Sequence, residues 1–333
     1  MTEFYDICYD SIKMQVRAIP ETIDNVDNRD VEILKDKRVI LIGCGDSYAV
    51  ADYGKWAFLP LMLNINCLSP PELVRISLDE DTLVVGITAS GRSLETITAL
   101  QYAKKSGAAT VVLTDNKKGK ASEYADHVWE TKSGVKTYNT SPSAPTTSAM
   151  AYLLKLADFY QNEMDTKIHC DLLRFKSVGA EMLSWAETVA KELSQLPKPG
   201  EMVYLISEGP NYIAAQIGMM KFNEYSIIKA TAALREEFRH FYNLSVRDGD
   251  PAILITDSPR DERDAMYMSV ITNTLKMRGF HLHCSESLDL QSSLGQVIAN
   301  TVVLQMTAYY SALRHNPNKR MFRLPHAEAF KIY

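Results

Sequence analysis

A chain of 333 residues is about two domains long at roughly 150 residues each, and its 46% hydrophobic content is enough to bury full cores, which excludes disorder over most of the length. The 36 Lys and Arg against 41 Asp and Glu give a net charge of -5 with no long block of one sign, so the basic stripe of a nucleic-acid-binding domain is missing. No run of about 18 apolar residues lacks a charge, which excludes a membrane-spanning helix.

In chain order, the acidic start Met1-Thr2-Glu3-Phe4-Tyr5-Asp6 lacks the basic flank and apolar core of a secretion signal. Five scattered cysteines (Cys8, Cys44, Cys67, Cys170, Cys284) without a CxxC pair read as reduced thiols in a cytoplasmic protein, with neither a disulfide frame nor a zinc knuckle. The apolar run from Val39 to Ile42 suits a strand buried on both faces. A Gly-containing turn follows, then a helical stretch with small residues to Phe58. A second apolar run covers Thr82–Thr88, a helix Leu94–Lys104, and a third strand Ala109–Leu113. Residues 151–182 read as a helical connector, and the turn Lys198-Pro199-Gly200 opens the second half, with strands at Val203–Ile206, Ala252–Thr256 and Phe280–His283.

The halves repeat each other. Without gaps, residues 39–58 and 203–222 share eight of twenty positions, among them Gly45/Gly209, Tyr48/Tyr212, Gly54/Gly218 and Phe58/Phe222. Alternating strand and helix patterns imply βαβ units and parallel sheets covered on both faces. The expected fold is α/β: an N-terminal helix at 1–24, a doubly wound domain at 25–155, a connector at 156–184, a second doubly wound domain at 185–310 and a tail at 311–333.

Ligands of such sheets bind at the carboxyl ends of strands, where helix N-termini offer unpaired N–H groups. Gly43-Cys44-Gly45-Asp46-Ser47 follows the first strand, and Thr88-Ala89-Ser90-Gly91-Arg92-Ser93 follows the second. The hydroxyls of Ser47, Thr88, Ser90 and Ser93 suit the oxygens of a phosphate. Neither loop is a P-loop or a GxGxxG fingerprint, which disfavours a nucleotide and favours a small phosphorylated ligand. The competing reading is ordinary helix capping, about as good for one such loop alone but weaker for two at consecutive strand ends.

These two loops, with Leu94-Glu95-Thr96 after the second and Ser133-Gly134-Val135, resemble the sugar isomerase (SIS) domain family. From about Phe4 to Arg323 the chain is similar to the isomerase portion of the glucosamine-6-phosphate synthases, with two SIS copies of flavodoxin-like, three-layer form in tandem. The resemblance implies that Gly45, Ser47, Thr88, Ala89, Ser90, Gly91 and Ser93 hold a sugar phosphate, that Ser141 faces the sugar, and that Arg323 belongs to the substrate-binding set. Thr88 and Ser93 keep a hydroxyl, whereas Ala89 and Arg92 replace a Gln and a Glu of the synthase pattern.

In the second copy the synthase pattern K-x-x-E is met by Lys221-Phe222-Asn223-Glu224, and Arg235-Glu236-Glu237-Phe238-Arg239-His240 follows, with Glu224 and His240 sixteen apart as in the family. From the residues alone, Lys221 and Glu224 at i, i+3 share a helix face. A solvated surface pair is the commoner fate of such residues, but this helix is the first after a central strand, where a carboxylate can serve as a base. The run 236–242 reads as a structured loop over a site. The resemblance then implies a catalytic set. Glu224 moves a proton between C1 and C2, His240 opens the ring, Lys221 stabilises the enediol-type intermediate, and Glu237 fixes the histidine loop. It also implies an obligate homodimer in which that loop reaches into the partner's site. No cofactor and no metal are called for.

Departures from the synthase pattern narrow the reaction. Thr2 follows Met1 where the synthase has an N-terminal Cys nucleophile, so a glutaminase domain is not expected. At the synthase's imine-forming tail Lys the nearest counterpart is Arg323, which cannot form an imine because it stays protonated; Lys319 or Lys331 would have to act from a shifted position. The expected activity is isomerisation of a hexose or amino-hexose 6-phosphate. The alternatives are a glucosamine- or fructosamine-6-phosphate deaminase and a non-catalytic sugar-phosphate-binding regulator. The archaeal bifunctional phosphoglucose/phosphomannose isomerases share the Glu-to-His spacing but carry an Arg where Thr146 follows Ser143-Ala144-Pro145. His281 and His283 alternate on a strand, so at most one of them is expected to face a site; Cys284 reads as core, His326 and Glu328 as surface, and the methionines near Met219 and Met266 as packing.

Overall fold

The computed structural model describes residues 2–225, 227–257, 261–284, 286–322 and 326–333. The first half runs α1 (Glu3–Asn25), β1 (Arg38–Gly43), α2 (Asp46–Phe58), β2 (Asn64–Leu68), β3 (Thr82–Ile87), α3 (Leu94–Lys105), β4 (Ala109–Thr114), β5 (His127–Glu130), α4 (Ala144–Tyr160) and α5 (Thr166–Phe175). The second runs α6 (Gly179–Leu193), β6 (Met202–Ser207), α7 (Tyr212–Tyr225), β7 (Lys229–Leu234), α8 (Arg235–His240), β8 (Pro251–Thr256), α9 (Glu262–Ser269), β9 (Arg278–His283) and α10 (Ser293–His315). The chain divides into two units, each with one sheet. One comprises Arg17–Tyr138, Ala144–Lys176 and Leu324–Tyr333; the other Met1–Val16, Asn139–Ser143 and Ser177–Arg323.

The five-stranded sheet is parallel throughout, in the order β2-β1-β3-β4-β5. β1, β3 and β4 are its interior strands and are buried at almost every position, as their continuous apolar sequences require. Successive side chains point to opposite faces. Ile40, Ile42, Val84 and Val112 form one core with Ile97, Leu100 and Ala103 of α3, while Leu41 points the other way, to α2 and α4. The approach of α2 depends on Gly54, where a Cβ would lie 2.7 Å from Leu41 Cδ1 and 3.0 Å from Leu153 Cδ1.

The four-stranded sheet repeats the order of the first four strands, β7-β6-β8-β9, again all parallel. Its α7 carries Gly218, whose Cβ would lie 2.9 Å from Leu205 Cδ1 and 3.0 Å from Leu304 Cδ1. The same glycine thus lets the same helix settle on the same strand leucine in both copies, with α10 standing where α4 stands. On the opposite face Tyr204, Ile206 and Leu254 pack with Phe238, Tyr267 and Ile271. The fold is therefore α/β with two tandem doubly wound parallel sheets, and the strand order of each belongs to the flavodoxin-like class.

Two expectations are corrected. Residues 235–240 form a short helix rather than a loop, because Phe238 is drawn into the core beneath it. His281 and His283 do not face opposite ways: residues two apart on a strand share a face, and their rings meet edge to face at 5.5 Å. Among the described residues no helix is long and apolar enough to cross a membrane.

Candidate functional site

At the carboxyl end of the five-stranded sheet the chain leaves β1 through Gly43, where a Cβ would lie 2.4 Å from the carbonyl oxygen of Ser47, so the turn admits only glycine. Gly45 follows with φ +57° and hands over to α2, placing the half-buried Ser47 in that helix's first turn. Asp46 accepts a hydrogen bond from Thr146 Oγ1 at 2.8 Å.

β3 ends in the second loop. Thr88 and Ser90 are buried; Thr88 Oγ1 lies 3.2 Å from Ser93 Oγ, and Ser90 Oγ accepts the Arg92 N–H at 3.3 Å. Ser93 immediately precedes α3, yet its side chain makes no capping bond to the helix. The capping explanation of this hydroxyl therefore fails. Neighbouring backbone fixes the loop. Asp115 N–H donates to Ala89 O at 3.1 Å and Asn116 Nδ2 to Ser90 O at 3.1 Å. Gly91, at φ +68°, passes so close to Gly119 that a Cβ would lie 2.7 Å from the Gly119 Cα. The end of the chain reaches the same place: Leu94 N–H donates to Ile332 O at 2.9 Å, and the Tyr333 ring lies 5.3 Å from the Arg92 guanidinium.

Asp115, just past β4, organises the segment containing Ser133-Gly134-Val135. It accepts from Thr131 Oγ1 at 3.0 Å, from Ser133 N–H at 2.7 Å and Oγ at 2.5 Å, and from the Tyr138 hydroxyl at 2.9 Å. Burial and this carboxylate push the Tyr138 phenol upward. The sequence pattern marks Ser133 but passes over Asp115, since a single Asp after a strand carries no local signal.

In the other unit α7 carries Lys221 and Glu224. The Lys221 side chain is 1% exposed, and its ammonium sits 3.2 Å from Glu224 Oε1 and 3.1 Å from Oε2. Ser141 Oγ donates to the same Oε2 at 2.6 Å. The expected sugar-facing serine thus holds the carboxylate. Glu224 remains 28% exposed, and the Lys221 and Ser141 donors fix its orientation. Beside them lie Cys8 and Tyr225, which hydrogen-bond each other. Burial pushes the Cys8 thiol up, against the bond from Tyr225, and pushes the Tyr225 phenol well up. Neither residue stands out in the sequence. Lys319 is also buried, and burial lowers its ammonium pKa against the opposing effect of Cys8.

His240, on α8, is 70% exposed and pairs through Nε2 with Glu236 Oε1 at 3.1 Å, rather than with Glu237, which is exposed. Arg323 lies outside the described residues. Among the described residues the second copy places Glu208 after β6 and Asp257 after β8, and Asp257 accepts from Asn211 Nδ2 at 2.6 Å. Carboxylates at these strand ends disfavour an anion.

Residues 32–157 match the model of the SIS domain. The chain is 23% identical over 312 residues to the isomerizing glutamine–fructose-6-phosphate aminotransferase of Clostridium tetani, which covers 87% of this chain and 51% of that protein; the chain spans about half the length of the curated relatives it matches. Among solved structures it resembles the C-terminal domain of glucosamine-fructose-6-phosphate aminotransferase from Francisella tularensis, with a TM-score of 0.77 at 19% identity over 93% of this chain and 96% of that one. A glucosamine-6-phosphate deaminase from Thermotoga maritima superposes with a TM-score of 0.75 at 18% identity, covering 96% of this chain and 98% of that one. These two likenesses concern the fold. Residues 32–157 are an SIS domain, and the chain is related to the isomerase portion of glutamine–fructose-6-phosphate aminotransferase.

Proposed function

We propose that the chain is a phosphosugar isomerase-type enzyme that opens the ring of a hexose or amino-hexose 6-phosphate and transfers a proton between C1 and C2. The observation that carries this reading is the Glu224 carboxylate, held by the buried Lys221 ammonium and the Ser141 hydroxyl and still 28% exposed. Glu224 takes the proton from one carbon, giving an enediol whose developing charge Lys221 stabilises, and returns it to the other. His240 exchanges the ring-oxygen proton. Its 70% exposure in a single chain supports a homodimer in which it serves the partner's sugar. Gly45, Ser47, Thr88, Ala89, Ser90, Gly91 and Ser93 bind the phosphate, and Glu237 steadies the histidine's helix. All five cysteines are free thiols, in keeping with a cytoplasmic enzyme.

A second reading uses the same proton shift. From a 2-amino aldose it gives a 2-imino ketose, which water hydrolyses to the ketose and ammonia. The fold shared with the Thermotoga maritima protein favours it. Fructose 6-phosphate, glucose 6-phosphate and glucosamine 6-phosphate, each with and without ammonium, distinguish the readings by NMR. Exchange of the C2 proton without ammonia identifies the isomerase, and ammonia release the deaminase. Ligand-induced stabilisation without turnover on any of the three rejects both in favour of a binding protein.

Two variants test the assignments. Ser90→Ala is expected to weaken sugar-phosphate binding by about 1–3 kcal/mol, the worth of a hydrogen bond to a charged group; unchanged affinity in calorimetry removes that loop from the site. Chains with His240→Ala and chains with Glu224→Gln, each inactive alone, should regain activity when mixed and refolded together. No recovery rejects the shared site.

A further inference from the structure

We propose that the turn joining α4 to α5 is a binding site for a divalent transition metal, formed by Asp158, Glu163 and His169, with the Lys155 ammonium standing where the cation would bind. One ligand atom from each of the three lies within 4.8 Å of the others. His169 Nδ1 is 3.2 Å from Asp158 Oδ2 and 4.0 Å from Glu163 Oε1, close to the roughly 3.4 Å separating ligands on a tetrahedral ion with bonds of about 2.1 Å. Lys155 Nζ lies between the two carboxylates, 2.9 Å from Asp158 Oδ2 and 3.1 Å from Glu163 Oε1, and rests over the Phe159 ring at 3.8 Å.

The carboxylate at the centre of this cluster is under-satisfied. Asp158 is fully buried, and its second oxygen, Oδ1, has no hydrogen-bond partner among the described residues. A buried carboxylate oxygen without a donor costs free energy that a second bond would recover. One ammonium faces two carboxylates, so these three side chains carry a net negative charge. A divalent ion corrects that balance and reaches Asp158 through one oxygen or both. Lys155 has a flexible four-carbon stem and is 12% exposed, so it can turn outward when a cation displaces it. An imidazole nitrogen with two carboxylates selects zinc-class ions over calcium or magnesium and leaves a fourth position for water.

The site belongs to a different end of the fold from the phosphate loops. Asp158 lies fourteen residues beyond Ala144, the start of α4, or about 21 Å along the helix. The ion would therefore pin α4 to α5 and leave the sugar chemistry untouched.

Titration of the intact protein with Co²⁺ by visible absorption, and with Zn²⁺ by calorimetry, tests this directly. The expected result is one tetrahedral ion per chain without a thiolate charge-transfer band. His169→Ala and Glu163→Gln should each weaken binding by about tenfold or more, while Lys155→Met should strengthen it by about tenfold because its ammonium no longer competes. Circular dichroism of each variant separates lost binding from lost structure. A thiolate band, affinity unchanged in both His169→Ala and Glu163→Gln, or no binding by the wild-type chain overturns the proposal. If Lys155→Met fails to fold, the wild-type spectrum together with the other two variants still decides the matter.

Discussion

Glu224→Gln is expected to lower turnover by about 10²–10⁴-fold, the usual contribution of a positioned general base, while sugar-phosphate affinity stays as in the wild type. The substitution is close to isosteric. The amide oxygen still accepts from Ser141 Oγ, which lies 2.6 Å from the carboxylate, and the side chain still fills its place on α7. What it loses is the negative charge beside the Lys221 ammonium and, with it, the ability to take a proton from carbon. Binding should survive because the residues assigned to the phosphate are Ser47, Thr88, Ser90 and Ser93, on elements of the other unit. The decisive measurement is loss of substrate C2 hydrogen in deuterium oxide, followed by NMR beside calorimetric affinity. Wild-type exchange in Glu224→Gln would remove Glu224 from the chemistry. Loss of affinity in parallel with exchange would make the residue a binding contact instead.

The interior of the fold was legible because it obeys simple rules. β1, β3, β4, β6 and β8 are short continuous apolar runs, and strands buried on both faces leave that signature. The duplication was legible because Gly54 and Gly218 are constrained by the same contact, a strand leucine within 3 Å of a would-be Cβ, so the repeat kept its spacing. The edge strands β2, β5 and β7 were not legible, whereas β9 was. β2 contains two exposed asparagines, Asn64 and Asn66, and β5 exposes His127 and Val128. Each depends on a neighbouring strand for its hydrogen bonds, and neither pattern differs locally from a loop. β7 escaped for a related reason, since Lys-Ala-Thr-Ala-Ala-Leu offers little apolar bulk and gains its burial from the strand and helix beside it.

The site divides along the same line. Lys221 and Glu224 could be paired from spacing alone, because i and i+3 on a helix are neighbours. The hydroxyl loops stood out because they occupy strand ends. Contacts brought in from distant sequence could not be read. Ser141 reaches Glu224 across 83 positions, Asp115 collects donors from Thr131, Ser133 and Tyr138, and Cys8 arrives on α1 beside Tyr225. His240 shows the converse. Its spacing from Glu224 drew attention to it, yet its hydrogen bond goes to Glu236, one turn back on α8.

Glu224→Leu is expected to destabilise the four-stranded unit by about 3–5 kcal/mol, because it takes the carboxylate away from the buried Lys221 ammonium. For a unit of this size the loss corresponds to a fall in Tm of roughly 6–20 °C. Lys221→Met alone should cost much less. Glu224 is 28% exposed and keeps Ser141 as a donor, so it retains both water and a hydrogen bond when the ammonium is gone, whereas Lys221, at 1% exposure, has no comparable access to solvent. Combining Lys221→Met with Glu224→Leu should recover most of the stability lost in Glu224→Leu, since the double variant removes both charges together. A double-mutant cycle measured by calorimetry or denaturant unfolding therefore reads the coupling directly. If Glu224→Leu melts at the wild-type temperature, the ammonium reaches water in solution, and α7 does not hold a buried cation against its carboxylate. If the single variants are equally destabilised, the asymmetry in burial that distinguishes the base from its partner is absent.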